Sequence, residues 1–286
     1  MCVAPPARPR GCGGSRAAPS LRLYVTVRLI SFDIRLKLAA DLVSLHAMPS
    51  ENYVKWLSPR MGREMEMLVF GHSGAPVIVL PSSWGRFYEW KDFLMIDTLA
   101  DKIDAGHIQL YGIDSFCSES WYNNLIHPRE RVLRHNVWES YVLDEVIPFI
   151  RSRNSNSFFI TAGVSFGAYL AVNLAFKHPE VVRKTVGISG SYRIQRLLDG
   201  YYDEDAYFNC PLSYMAGLNE GNTLDLIRRM EIFLATSDMD LGICRERTYD
   251  MSRVLSERAI PHRLDDWGGN MIHDWPSWRR MIRDYL

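Results

Sequence analysis

No pair of cysteines in this 286-residue chain stands at C-x-x-C spacing. The five cysteines, Cys2, Cys12, Cys117, Cys210 and Cys244, are scattered, which argues against both a zinc framework and a disulfide scaffold. An odd, sparse set of that kind fits a reducing, cytoplasmic compartment. An excess of one charge is also lacking. Lys and Arg number 33 and Asp and Glu 33, so neither a nucleic-acid partner nor a charged interaction tail is expected. No apolar run reaches the length of a membrane span. No H-x-H or H-E-x-x-H spacing offers a metallohydrolase site, and no metal ligand set is expected. There is no internal repeat. What is present is an ordinary apolar and charged fraction, rich in aromatics, at a length that suits one large α/β domain or two small ones.

The first 20 residues are Pro, Gly, Ala, Arg and Ser, a composition that cannot bury a core and reads as disordered. Residues 21–47 mix basic positions with short apolar patches such as Leu29-Ile30. Arg22, Arg28, Asp33, Arg35 and Lys37 break every stretch that could serve as a signal-peptide core. The Arg-rich, acid-poor first half resembles an organellar transit peptide. The preferred reading is that residues 1–47 are a disordered or spurious extension and that a catalytic domain spans 48–286.

Beyond Tyr53 the pattern is regular. Glu64-Met65-Glu66-Met67 alternates as a half-buried strand does and continues into Leu68-Val69-Phe70. Val77-Ile78-Val79-Leu80 is wholly apolar, as the middle of a parallel sheet requires. A helix is predicted over Asp92 to Ala105, with Leu94, Ile96, Leu99 and Ile103 inward, then a strand over 108–113. Asp114 to His127 reads as a long loop. Arg129 to Arg153 reads as one long helix burying Val132, Val137, Val142, Val146 and Ile150. Further strands are predicted at 184–190, 231–236 and 262–267, with helices over 245–259 and 275–286. Residues 191–229 interrupt this rhythm with many aromatics and read as an insertion, either a lid or a second small core. Strands alternating with helices predict a doubly wound, mostly parallel sheet with helices on both faces and a small insertion after the sixth strand.

The chemistry centres on Gly163-Val164-Ser165-Phe166-Gly167, where an apolar strand runs into a helix-forming segment. In that context G-x-S-x-G is a nucleophile elbow. A serine hydroxyl needs a base, and the base needs a carboxylate. Partners lying after Ser165 and after strands are expected. His178 ends the elbow helix and His262 begins a strand. His273 follows the last strand, in Gly268-Gly269-Asn270-Met271-Ile272-His273, a predicted flexible loop, and is the candidate base. The acid follows the strand 231–236. Asp240 is favoured and Asp238 is the alternative, the other serving as turn former or cap. Two amides are needed for an oxyanion. Phe166 supplies one, and Ser83, or else Trp84, supplies the second from the loop 81–85. Trp84, Trp121 and Tyr122 either wall a substrate pocket or are packing residues.

Taken together, Ser165 in its elbow, the late acid and the stretch from Gly268 to Trp278 resemble an esterase family of α/β-hydrolases. That family includes esterase D (S-formylglutathione hydrolase), feruloyl esterases and the antigen 85 mycolyltransferases. The stretches GRFYEW (85–90), SESWYN (118–123) and HDWPSW (273–278) look most like its small bacterial esterases. The resemblance covers about Tyr53 to Leu286. It implies the α/β-hydrolase fold, no cofactor, a small-molecule ester substrate and a triad of Ser165, Asp240 and His273. Ser237 departs from the pattern, since glycine is usual there. An acyltransferase sharing the acyl-enzyme, or a non-catalytic binding protein on the same scaffold, are the alternatives, and a homo-oligomer is left open.

Overall fold

The apolar runs become neighbours in one sheet. In the computed structural model, which describes residues 49–286, eight strands form: β1 (Glu51–Ser58), β2 (Arg63–Phe70), β3 (Ala75–Leu80), β4 (Ile108–Ile113), β5 (Phe159–Val164), β6 (Val182–Ile188), β7 (Glu231–Met239) and β8 (Arg263–Ile272). The readings made for residues 1–47 lie outside the described residues. The sheet order is β1-β2-β4-β3-β5-β6-β7-β8. β1 and β2 are antiparallel, β2 meets β4 antiparallel, and every other pair is parallel. This is the α/β-hydrolase fold that the motif pattern implied. The chain runs from β3 to a neighbour on one side and later returns as β5 on the other. That reversal opens a crevice at the carboxyl ends of β3 and β5, where such sheets bind ligands.

β3 shows how two-sided burial is built. Ile78 and Leu80 enter one core with Tyr111, Ile113, Tyr169 and Leu170, while Val77 and Val79 enter the opposite core with Met95, Leu99, Trp278 and Met281. Burying each such side chain contributes roughly 1.5–3 kcal/mol. On one face lie α1 (Pro128–Tyr141), α2 (Phe166–Lys177) and α3 (Gly242–Glu257). The other is covered by short helical turns after β3 and by α4 (Trp275–Ile282). The segment 191–229 holds short helices, and its Tyr192, Leu212, Tyr214, Met215, Leu224 and Ile227 pack with α2 and α3.

Several expectations are corrected. β1 had no strand reading of its own. It is the sheet's edge, and its Glu51, Tyr53, Lys55 and Leu57 are exposed, so its apolar signal is thin. The single helix expected over Asp92 to Ala105 is three short pieces, Glu89–Asp92, Met95–Thr98 and Ala100–Asp104. Leu94 sits between the first two at φ 59° and is half exposed. The first piece is tied to the end of β3, with Trp90 Nε1 donating to Leu80 O at 3.2 Å, and Phe93 stacks on Trp275 at 4.5 Å. Those contacts re-aim the chain and override its helical spacing. The long helix over 129–153 contains a π-turn at Val142–Val146, where Ile147 N–H reaches back to Val142 O. Pro148 lies just beyond, with no N–H to give and a ring that crowds the preceding turn. Val137, expected inside, is exposed.

On α1 the core holds a histidine that the hydrophobic pattern did not mark. His135 is buried between Trp121, Trp138 and Tyr169, with ring centroids 4.9, 5.4 and 6.2 Å away. Neither of its ring nitrogens has a hydrogen-bond partner among the described residues. Burial pushes its pKa down to about 3, with Glu139 opposing and Lys177 adding to the shift. The folded protein therefore keeps His135 neutral where the unfolded chain protonates it. Stability from this site is intact above about pH 6.5 and falls on acidification toward pH 3, at roughly 1.4 kcal/mol per pH unit. Urea unfolding at pH 7.5 and 4.5 checks this: the acid loss is smaller in His135→Phe than in wild type.

Candidate active site

The turn that carries Ser165 is tight because glycine stands on both sides of it. A Cβ on Gly163 would strike the backbone carbonyl of Gly167, and one on Gly167 would strike that of Leu80. Helix α2 can approach β5 and the end of β3 so closely only with hydrogen at both positions. Ser165 itself sits at φ 54°, ψ −119°, a left-handed conformation costly for a side-chain-bearing residue. Its N–H donates to Ile188 O at 2.8 Å, which fastens the strained residue to β6.

Ser165 Oγ lies 2.9 Å from His273 Nε2, and His273 Nδ1 lies 2.6 Å from Asp240 Oδ1. An ionised carboxylate can only accept, so Nδ1 carries the proton and Nε2 accepts from the serine hydroxyl. Burial works to raise the Asp240 pKa, but hydrogen bonds from His273, Ser189 and Thr236 overcome it and hold the carboxyl below its ordinary value. The Asp240 carboxylate is fully buried. Thr236 Oγ1 donates to Oδ2 at 2.8 Å and the Leu241 N–H to Oδ1 at 2.8 Å. Asp238 is exposed and points elsewhere, its Oδ2 accepting from Asn270 N at 3.3 Å. His178 bonds Glu139 at 2.9 Å and His262 bonds Ser252 at 2.7 Å, so neither joins the group.

The segment before His273 is not the loop expected from its glycines. β8 continues to Ile272, which pairs with Met239 of β7 after a register shift. Ser237 explains part of this. Its Oγ donates to Met271 O at 2.8 Å, stitching the two strands together, a bond glycine could not make. Three supporting residues escaped the sequence reading: Thr236, Ser189 and Trp278. Trp278 stands edge-on to His273 at 4.9 Å, and its indole N–H donates to Ser189 Oγ at 3.0 Å. The spacing from His273 to Trp278 is visible in the sequence, but Ser189 carries no local signal.

β3 ends beside the elbow, with Leu80 paired to Gly163. In the loop that follows, Ser82 N–H donates to Glu89 Oε2 at 2.6 Å and Gly85 N–H to Ser82 O at 3.1 Å. The amides of Ser83 and Trp84 have no acceptor among the described residues. Glu89 also accepts from Ser82 Oγ at 2.7 Å, and burial raises its pKa against those two bonds. Ser83 Oγ meets Tyr122 OH at 2.7 Å, and the Tyr122 ring lies 5.0 Å from Phe166 and 4.9 Å from Trp84. Tyr122 and the exposed Trp84 therefore stand together beside the elbow. Trp121 does not, which corrects its place as a pocket wall. Tyr122 meets Ser83, Trp84 and Phe166, whereas Trp121 points into the core against His135 and Tyr169, wholly buried.

Cys244 stands behind the acid, and Asp240, Cys244 and His273 each offer a donor atom within 4.8 Å of the others. Asp240 and His273 already bond each other, and burial pushes the Cys244 thiol up to about 12, so it stays protonated and is a poor metal ligand. Among the described residues no helix is long and apolar enough to cross a membrane.

No protein-family model matches this chain, and no curated protein matches it in sequence. Solved structures do match its fold. A ferulic acid esterase superposes with a TM-score of 0.67 at 14% identity, over 83% of this chain and 96% of that one. An S-formylglutathione hydrolase from Agrobacterium tumefaciens gives 0.62 at 14%, over 84% and 94%. A fluorophosphonate-binding serine hydrolase from Staphylococcus aureus gives 0.60 at 14%, over 83% and 97%. The described chain therefore shares the α/β-hydrolase fold of these esterases along nearly their whole length.

Proposed function

We propose that this protein is a serine hydrolase that cleaves carboxylic esters, or thioesters, through an acyl-enzyme. One observation carries the reading: an unbroken line of hydrogen bonds from Asp240 through His273 to a serine held at a strained elbow. Ser165 Oγ attacks the ester carbonyl carbon while its proton passes to His273 Nε2. Negative charge gathers on the carbonyl oxygen. Phe166, the first residue of α2, has an N–H with no acceptor inside its helix. That amide and the one from Ser83, or Trp84, receive the oxyanion. As the tetrahedral adduct collapses, the alcohol or thiol leaves with the proton from Nε2. Water then gives a proton to Nε2 and attacks the acyl group, and the acid is released as Ser165 regains its hydrogen. Asp240 holds the reactive tautomer and stabilises the imidazolium. No cofactor enters this scheme.

The neighbour that binds fluorophosphonates suggests the test. A fluorophosphonate labels native protein on Ser165 and does not label heat-denatured protein, read by mass spectrometry of the modified peptide. Equal labelling of both states, or none in either, rejects the proposal.

A further inference from the structure

Four aliphatic side chains crowd the acid side of the site and face solvent. Met239 is 56% exposed, Leu241 53%, Ile243 39% and Ile272 51%. Met239 and Leu241 flank Asp240 in the chain, Ile272 precedes His273, and Met239 and Ile272 are register partners across the β7–β8 tip. Ile243 follows in the first turn of α3. The one charge between positions 239 and 243, Asp240, is turned inward with its carboxylate fully buried. What the segment shows to water is therefore wholly aliphatic. A contiguous exposed patch of this kind is a recurring mark of a binding surface.

We propose that this rim receives a hydrocarbon chain, and that the substrates are esters bearing a linear alkyl chain of about six to ten carbons. The proposal rests on the hydrolase reading above and adds a substrate class to it. The argument is one of place and chemistry. Met239 and Ile272 pair across the sheet one residue away from Asp240 and His273, whose hydrogen bonds end on Ser165 Oγ, so the rim lies within reach of a chain attached to an ester at that serine. An aliphatic, uncharged surface rewards each methylene it covers. For a chain lying in a half-open rim the gain is about two- to threefold in binding per methylene, below the value for full burial.

Two measurements test this. In wild type, kcat/KM for p-nitrophenyl esters rises from acetate to octanoate. A parallel series of acetates of longer alcohols tells whether the acyl or the alcohol side lies on the rim. Ile272→Ser combined with Ile243→Ser lowers the octanoate-to-acetate ratio about tenfold, and Ile272→Leu restores it. Calorimetry on Ser165→Ala reads the rim without any chemistry: methyl octanoate binds at least tenfold more tightly than methyl butanoate, and the two serine substitutions remove the difference. A flat chain-length profile together with equal binding of the two methyl esters overturns the proposal. So does an unchanged ratio in variants whose self-association, read by light scattering, is altered, because the face then belongs to a second copy of the chain. Failure of the hydrolase reading is separate. It shows as no turnover of any ester in wild type, whatever the calorimetry reports.

Discussion

Ser165→Ala lowers turnover of an activated ester by about a millionfold, leaving a residual rate about 10^3- to 10^4-fold above solution hydrolysis, while the urea midpoint of unfolding stays at its wild-type value. The size follows from what is lost. Without Oγ no acyl-enzyme forms, and His273 and Asp240 have no proton to move, so removing the serine costs about as much as removing all three. What survives is binding and any oxyanion amides. The fold is expected to stay because the elbow is held from outside the side chain. Ser165 N–H bonds Ile188 O, Ala168 N–H bonds Ser165 O, and the glycine contacts of β5 and α2 do not involve Oγ. Steady-state kinetics with p-nitrophenyl acetate and a denaturation curve on the same preparation check both halves. A variant within tenfold of wild type rejects Ser165 as nucleophile.

Asp240→Asn lowers kcat about 10^4-fold, and Asp238→Asn leaves it within about threefold. The two aspartates are two residues apart, but their surroundings differ in kind. Asp240 accepts from His273 Nδ1, from Thr236 and from the Leu241 amide. An asparagine there turns an N–H toward Nδ1, so the imidazole shifts its proton to Nε2 and can no longer accept from Ser165. Asp238 accepts only the N–H of the exposed Asn270, on β8. The carbonyl of an asparagine accepts that bond equally well. Measuring kcat/KM for both variants decides the matter. Comparable losses, or the larger loss at position 238, overturn the assignment of the acid.

How much of this was legible depends on the range over which each feature is decided. The apolar runs at 77–80, 108–113 and 159–164 mark strands buried on both faces, because period and composition act within a few residues. The helix over 129–153 was visible too, but Val137, five residues after Val132, lies about 140° round a regular α-helix from it and comes out exposed, and the π-turn follows only at Val142–Val146. The break at Leu94 is set by Phe93 meeting Trp275, far away in the chain. Trp121 and Tyr122 are adjacent, aromatic and in one loop. Which of them packs on Phe166 and which goes inward depends on the space that His135 and Tyr169 leave in the core.

By itself, then, the amino-acid sequence determined an alternating α/β chain, an elbow that needs glycine on both sides of its serine, and a late carboxylate and histidine in the order such a site requires. Tertiary structure alone decided which carboxylate meets the imidazole. Ser165 and His273 are 108 positions apart, and His273 and Asp240 are 33 apart. Local patterns set backbone period and turns over a few residues. The direction of a side chain at a strand's end is set by what packs around it, and Ser189, Thr236 and Trp278 reach Asp240 and His273 only once the sheet has formed.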